Sequence, residues 1–157
     1  MGEVAQIFLA DGRPFRDIAA DIVRLAGGQV REAYVRADRV PVELVEGPAG
    51  TFCAVEPNIF SNPPGPPPEE HAVFDGYPAM VEFWQPNKDY DRLAEVARRV
   101  FDALTHAPGA QPALLAWDLG DALAAFLPAE GVHEFPDGTA TTAEDRHLWE
   151  PWAAPRA

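Results

Sequence analysis

The carboxylates of Asp118 and Asp121 are the first groups in this sequence whose type and spacing could do chemistry. They follow a short apolar run, Ala113 to Trp117, that is typical of a buried strand, and ligand sites in open sheets often lie where buried strands end. Two such carboxylates could transfer protons or hold Mg²⁺. Capping of a following helix explains the same residues without a ligand, and this interpretation is favoured.

Acidic residues and tryptophans continue through the C-terminal segment. From Trp117 onward the chain has eight acidic residues against two arginines. An acidic surface attracts a basic protein, and tryptophans are favoured interface anchors. The alternative for Trp149 and Trp152 is that they attach the tail to the rest of the domain, because a free tail rarely keeps two exposed tryptophans. The residues predicted to bind a partner are Asp118, Asp121, Glu130, Glu134, Trp149 and Trp152.

The sequence offers little nucleophilic or phosphate-binding chemistry. Cys53 is the only thiol, and its position in a predicted strand indicates a buried, inert side chain. Ser61 is the only serine, so serine-nucleophile motifs are excluded. Gly27 and Gly28 follow a predicted helix, whereas phosphate-binding glycines precede one. We therefore predict no catalytic residue and no cofactor.

The histidines do not match a known metal-ligand spacing. His133 and His147 share the C-terminal segment with several carboxylates, which could in principle complete a metal site. The segment is irregular, however, and the separation of the two histidines is not one that metal sites use repeatedly. No metal site is predicted.

A pocket between a sheet and its helices is the alternative to a partner-binding surface. Four polar residues could line such a pocket if the fold brought them together: His71, Asp75, Tyr77 and Asp118. Their convergence within hydrogen-bond distance would favour a small-molecule binder or an enzyme.

Hydrophobic periodicity predicts the elements that must position these residues, in the order β-α-β-β-β-β-α-β-α followed by a tail. One amphipathic helix begins near Phe15 and ends at Gly27. A longer helix, capped by Asn87 or Asp89, ends before Pro108. The last helix is predicted over Leu119–Leu127, after the capping carboxylates.

This order predicts an α+β fold. We expect a single mixed or antiparallel sheet of about five to six strands, with the two main helices largely on one face. The run Ser61–Glu70 is half proline, which predicts a stiff loop in the middle of the chain. Residues 1–128 are predicted to form the α+β domain, and residues 129–157 an acidic, tryptophan-containing segment packed on it or extending from it.

Charge limits the classes of partner. The 157 residues include 25 acidic and 12 basic ones, a formal net charge of −13. Such a field opposes direct binding to nucleic acid and to anionic membranes. A single cysteine, no signal-peptide pattern and no apolar stretch of membrane-spanning length predict a cytoplasmic protein.

These observations predict a non-enzymatic protein-binding module. One concrete form is an inhibitor or immunity-type protein that neutralises a basic toxin or nuclease. The alternative is a small-molecule binder or enzyme with a pocket between sheet and helices. No family resemblance decides between them.

Overall fold

The structure, a computed structural model, describes residues 3–46, 50–61 and 67–155. It is an α+β fold with one antiparallel sheet, as predicted, but the sheet has eight strands rather than five to six. The strands are β1 Ala5–Leu9, β2 Gln29–Val30, β3 Val40–Glu43, β4 Phe52–Pro57, β5 Ala79–Trp84, β6 Ala113–Trp117, β7 Asp121–Leu127 and β8 Gly131–Glu134. The helices are α1 Phe15–Ala26, α2 Tyr90–His106 and α3 Arg146–Trp149.

Strand β1 lies near the centre of the sheet, in the order β2-β3-β4-β5-β1-β6-β7-β8. It pairs with β5 on one side and with β6 on the other. All five of its residues are buried, including the polar Gln6. A strand buried on both faces explains why this stretch is a continuous apolar run with almost no alternation.

Helices α1 and α2 cover one face of the sheet. The apolar side of α1 includes the buried Ile18 and Ile22, and that of α2 includes the buried Leu93 and Phe101. These side chains form one hydrophobic cluster with residues of the sheet such as Ile7 of β1. Asp89 caps α2, since its side chain accepts a hydrogen bond from the Arg92 N–H. The prediction of two amphipathic helices, and of Asp89 as a cap, is confirmed.

The opposite face carries a second hydrophobic cluster, which has no contribution from α1 or α2. Phe8 and Met80 of the sheet pack there against Tyr77, Phe135 and Trp149. Two of these covering residues belong to the C-terminal segment. The sheet is therefore covered on both faces, by helices on one and by loops and the tail on the other.

The prediction of a helix over Leu119–Leu127 is wrong, because Asp121–Leu127 forms strand β7. Alanine and leucine favour helices, but this preference is weak and tertiary context overrides it. Strand β6 is apolar and lies beyond the centre of the sheet, so it needs a partner on its outer side; β7 pairs with it along its whole length. Helix capping by Asp118 and Asp121 is consequently wrong as well.

The proline-rich loop falls mainly on residues 62–66, which lie outside the described residues. Of the predicted stretch, Pro68–Glu70 forms a single 3₁₀ turn. A tight turn lies at Ala37-Asp38, where Arg36 and Arg39 pair on either side of it.

Candidate functional site: an acidic end with an aromatic pair

A tight turn between β6 and β7 places the two predicted carboxylates. Asp118 and Leu119 both have positive φ, 49° and 60°, and the Gly120 N–H donates to the Trp117 carbonyl over 3.0 Å. Two central residues of positive φ are typical of the type I′ turn that suits antiparallel hairpins. Asp118 therefore lies at the tip of a hairpin, with Asp121 opposite Trp117 in the strand register.

The turn is held on both sides by the rest of the sheet. The Asp118 N–H donates to the Val4 carbonyl over 2.8 Å, and the Leu119 N–H donates to the buried Oε1 of Gln6 over 3.1 Å. The C-terminal segment adds a strap, because the Thr141 N–H donates to the Gly120 carbonyl over 3.0 Å. These hydrogen bonds fix where the hairpin tip projects.

The first turn of α2 brings a second group of residues to the same place. The Tyr90 ring meets the Trp117 ring edge to face, with ring centroids 6.3 Å apart. Both rings are half-buried. Asp89 and Asp91 flank Tyr90 in the chain, as Asp118 follows Trp117. We call this surface the acidic end: Asp89, Asp91, Asp118 and Asp121 around Tyr90 and Trp117.

The four carboxylates of the acidic end are exposed and form no ion pair with any described residue. Asp89 alone has a structural role, as the cap of α2. Carboxylates without cationic partners add directly to the surrounding negative potential. This end of the sheet therefore presents negative charge beside two partly accessible aromatic rings.

The structure does not bring the other two predicted carboxylates to this surface. Glu130 is exposed in the β7–β8 turn, at the opposite end of β7 from Asp121, about 20 Å away for a strand of this length. Glu134 accepts two hydrogen bonds from the Arg98 guanidinium, one of them 2.9 Å long, and these lower the pKa of its carboxyl. The negative charge of Glu134 is therefore paired with the Arg98 guanidinium within the molecule.

The two C-terminal tryptophans pack onto the sheet. Trp149 is 4% exposed, and its Nε1 donates to the Thr142 carbonyl over 2.9 Å. Trp152 is half-buried and stacks on His133, with ring centroids 4.2 Å apart and ring planes nearly parallel. Both rings thus attach the C-terminal segment to the sheet, and their binding of a partner stays a prediction.

The described contacts do not join Asp118 to the other three residues suggested for a pocket. Tyr77 is buried, where burial raises the pKa of its hydroxyl to about 12 and the oxygen accepts from the Ala154 N–H over 3.1 Å. Asp75 accepts from the Ala72 N–H, and His71 lines a separate cavity of about 250 Å³ that Asp118 does not reach. Among the described residues no three histidines, cysteines or carboxylates gather as a metal site would require.

Sequence reasoning missed a row of arginines and aromatic rings on the face opposite the helices. Arg31 lies over Tyr34 and Phe52, at 4.5 and 5.1 Å from the ring centroids. Phe52 stacks on Trp84 at 5.8 Å, and Arg39 lies over Trp84 at 5.3 Å. Strands β4 and β5 are both predicted from the sequence, but only their register in the sheet places Phe52 opposite Trp84. Cation–π contacts with these rings stabilise the guanidinium groups of Arg31 and Arg39 without neutralising them.

Two half-buried glutamates lie on the same strands as this row. Burial raises the pKa of Glu82, and the charge of Glu56 raises it further. Burial also raises the pKa of Glu56, although Arg39 pairs with it at 3.4 Å and opposes that shift. The two glutamates thus lie on neighbouring strands, and Arg39 offsets their mutual repulsion only in part.

None of the helices in the described ranges is long and apolar enough to cross a membrane. Comparison of the chain with protein-family models, with curated proteins and with solved structures finds no match, so its function has to be inferred from this geometry.

Proposed function

We propose that this chain is a protein-binding module that recognises a basic protein partner through its acidic end. The observation that carries the proposal is the set of exposed, unpaired carboxylates around the Tyr90–Trp117 pair. An inhibitor or immunity-type protein that covers a basic active site is one form of such a module. The free, buried thiol of Cys53 is compatible with a reducing, cytoplasmic setting.

The contrast with other acidic residues supports this choice of surface. Glu46, Glu95 and Glu134 are each bound by an arginine of α2. Glu150 is bound by Arg146 of α3. No described residue supplies such a cation to the carboxylates of the acidic end, so a partner's lysines or arginines can take that role without breaking an ion pair among the described residues.

The aromatic pair supplies what charge alone does not. Electrostatic attraction mainly raises the association rate, whereas buried aromatic anchors hold a complex together. Tyr90 and Trp117 are half-buried and are fixed by α2 and β6, so covering them requires no rearrangement of the backbone. The acidic end thus combines steering and anchoring in one surface.

The test compares two variants of equal net charge. One neutralises the acidic end with Asp91→Asn, Asp118→Asn and Asp121→Asn. The control neutralises three exposed carboxylates elsewhere, Asp17→Asn, Asp38→Asn and Glu144→Gln. Each protein is used for affinity purification from its native host, and the association rate with the recovered partner is then measured at low and at moderate salt.

We expect wild type and control to recover the same basic protein. Association of the acidic-end variant should be slower by about tenfold at low salt, with the difference shrinking as salt is raised. The proposal fails if both triple variants bind equally well. It also fails if no protein is recovered by wild type under either salt condition.

A further inference from the structure

A cleft of about 710 Å³ lies at the other end of β1, between the start of α1 and the segment that leads into β3. Its apolar walls include Phe15, Val35, Val40 and Pro78. This volume is within the range of small-molecule sites, which are mostly apolar with a few placed polar groups. The cleft is therefore large enough for a ligand with an apolar body.

The polar groups of this cleft are mainly cationic. Arg13, Arg16 and Arg36 line it, and Asp11 is its one carboxylate. The Asp11 carboxylate already accepts hydrogen bonds from the Arg13 guanidinium, at 2.8 Å from Nη2, so it leaves little free negative charge. We call this site the arginine cleft. Asp21 and Glu32, which pair with Arg13 and Arg16, do not line it, so Arg36 is the one arginine of the cleft that has no carboxylate partner among the described residues.

The guanidinium groups differ in how firmly they are engaged. Arg36 is exposed and forms no ion pair with any residue that the structure describes. Arg16 pairs with Glu32 at 3.0 Å, but both side chains are more than half exposed, and such pairs contribute at most about 1 kcal/mol. Arg13 is fixed by Asp11 and Asp21. An anion that enters the cleft would thus meet Arg36, which has no ion pair among the described residues, and Arg16, whose exposed ion pair can be exchanged. Arg13 would stay in place on Asp11 and Asp21.

The first residues of α1 also line the cleft. Pro14 occupies the cap position and provides no side-chain hydrogen bond. The N–H groups of Phe15 and Arg16, which both line the cleft, have no acceptor among the described residues. Free N–H groups and the positive end of a helix dipole favour anions.

We propose that the arginine cleft binds a small organic anion, with its phosphate or carboxylate group on Arg16, Arg36 and the first N–H groups of α1. The apolar body of the ligand lies against Phe15, Val35 and Val40. Phosphate and carboxylate share this chemistry, since guanidinium groups bind both through paired hydrogen bonds.

The test uses phenyl phosphate and benzoate as probes. Inorganic phosphate is the control that supplies only the anion, and benzyl alcohol is the control that supplies only the apolar ring. Binding is measured by titration calorimetry and by the amide resonances of Phe15 and Arg16. The variant Arg36→Gln removes the free cation. Arg92→Gln is the matched control, because Arg92 is another partly exposed arginine but lies on α2, outside the cleft.

We expect phenyl phosphate or benzoate to bind saturably and to shift both amide resonances, more strongly than either fragment alone. Arg36→Gln should weaken that binding about tenfold or more, and Arg92→Gln should leave it unchanged. The better of the two probes identifies phosphate or carboxylate as the natural group. Equal binding by Arg36→Gln and wild type, equal loss in Arg92→Gln, or no saturable binding at millimolar concentrations overturns the proposal.

Discussion

The two ends of strand β1 use charged side chains in different ways. At the end where β1 begins, the carboxylates of the acidic end project without cationic partners. At the end where β1 finishes, Asp11 and Asp21 are held by Arg13, and that network forms part of the wall of the arginine cleft. Among the described residues, the carboxylates at the first end have no cationic partner, whereas Asp11 and Asp21 at the other end form ion pairs with Arg13.

This difference distinguishes charges that maintain the fold from the charges that we propose for binding a partner. Although partial burial acts to raise the pKa of Asp11, hydrogen bonds from Arg13 lower it overall. The pKa of Asp21 follows the same pattern, since burial is outweighed by hydrogen bonds from Arg13 and Arg24. A carboxyl with a lowered pKa stabilises the native state. Exposed carboxylates that have no cation partner among the described residues gain no such stabilisation from ion pairing.

The largest expected effect comes from removing the side chain of Trp149, which packs the C-terminal segment onto the sheet near the acidic end. Trp149→Ala should lower the free energy of unfolding by about 3–5 kcal/mol, because it empties a buried site in the second hydrophobic cluster. Hydrogen exchange should accelerate at Thr141, whose N–H ties the strap to the β6–β7 turn. Denaturant unfolding measures the first effect.

Trp149→Phe is the control for this substitution. It keeps an aromatic ring but loses the Nε1 hydrogen bond to Thr142, and should cost only about 1 kcal/mol. A small effect of Trp149→Ala would mean that the tail does not support the acidic end.

The next largest effect should appear at the other end of β1. Arg13→Ala leaves Asp11, which is 8% exposed, without its guanidinium partner and should destabilise the protein by about 1–3 kcal/mol. Arg16→Ala breaks an exposed ion pair with Glu32 and should cost no more than about 1 kcal/mol. Equal effects of the two substitutions, measured by chemical denaturation, would contradict a structural role for the Arg13 network.

The destabilisation by Arg13→Ala should also depend on pH in a defined direction. The folded-state pKa values of Asp11 and Asp21 are lowered, so their contribution is present above their ordinary pKa near 4 and is lost as the pH falls through the folded values. The difference in stability between wild type and Arg13→Ala should therefore be full at neutral pH and shrink in acid. A difference that grows on acidification would refute this assignment.

The smallest expected effect is at the tip of the acidic end. Asp118→Gly should stabilise the protein by roughly 0.5 kcal/mol, because glycine adopts the positive φ of this turn without steric cost. Asp121→Gly removes the same charge from strand β7 and should destabilise it by about 0.5–1 kcal/mol. Thermal unfolding of the pair separates the backbone effect from the charge effect, and two shifts of the same sign would argue against a strained turn.

Local patterns predicted the parts of the molecule that depend on neighbours in the chain. The apolar stripe of α2 and its cap at Asp89 follow from helical spacing, and the buried strand β1 follows from a continuous apolar run. The assignment of Leu119–Leu127 failed because local preference favoured a helix while the sheet required a strand to pair with β6.

The candidate site was predictable only in part. Asp118 and Asp121 were recognised as an acidic pair after a buried strand, which is where the structure places them. Their neighbours in space, Tyr90 and Asp91, come from an element that starts thirty residues earlier in the chain. The Arg98 guanidinium that neutralises Glu134 is also distant in sequence. No spacing along the chain reveals either contact.

The sequence by itself determined the α+β class, the two main helices and the strongly negative total charge, because composition and short-range periodicity are properties of the chain. Only the tertiary structure decided which carboxylates meet cations distant in sequence, since strand order and packing choose partners such as Arg98 for Glu134 and Arg99 for Glu46. That choice leaves the acidic end unpaired at one end of β1 and gathers three arginines around a cleft at the other.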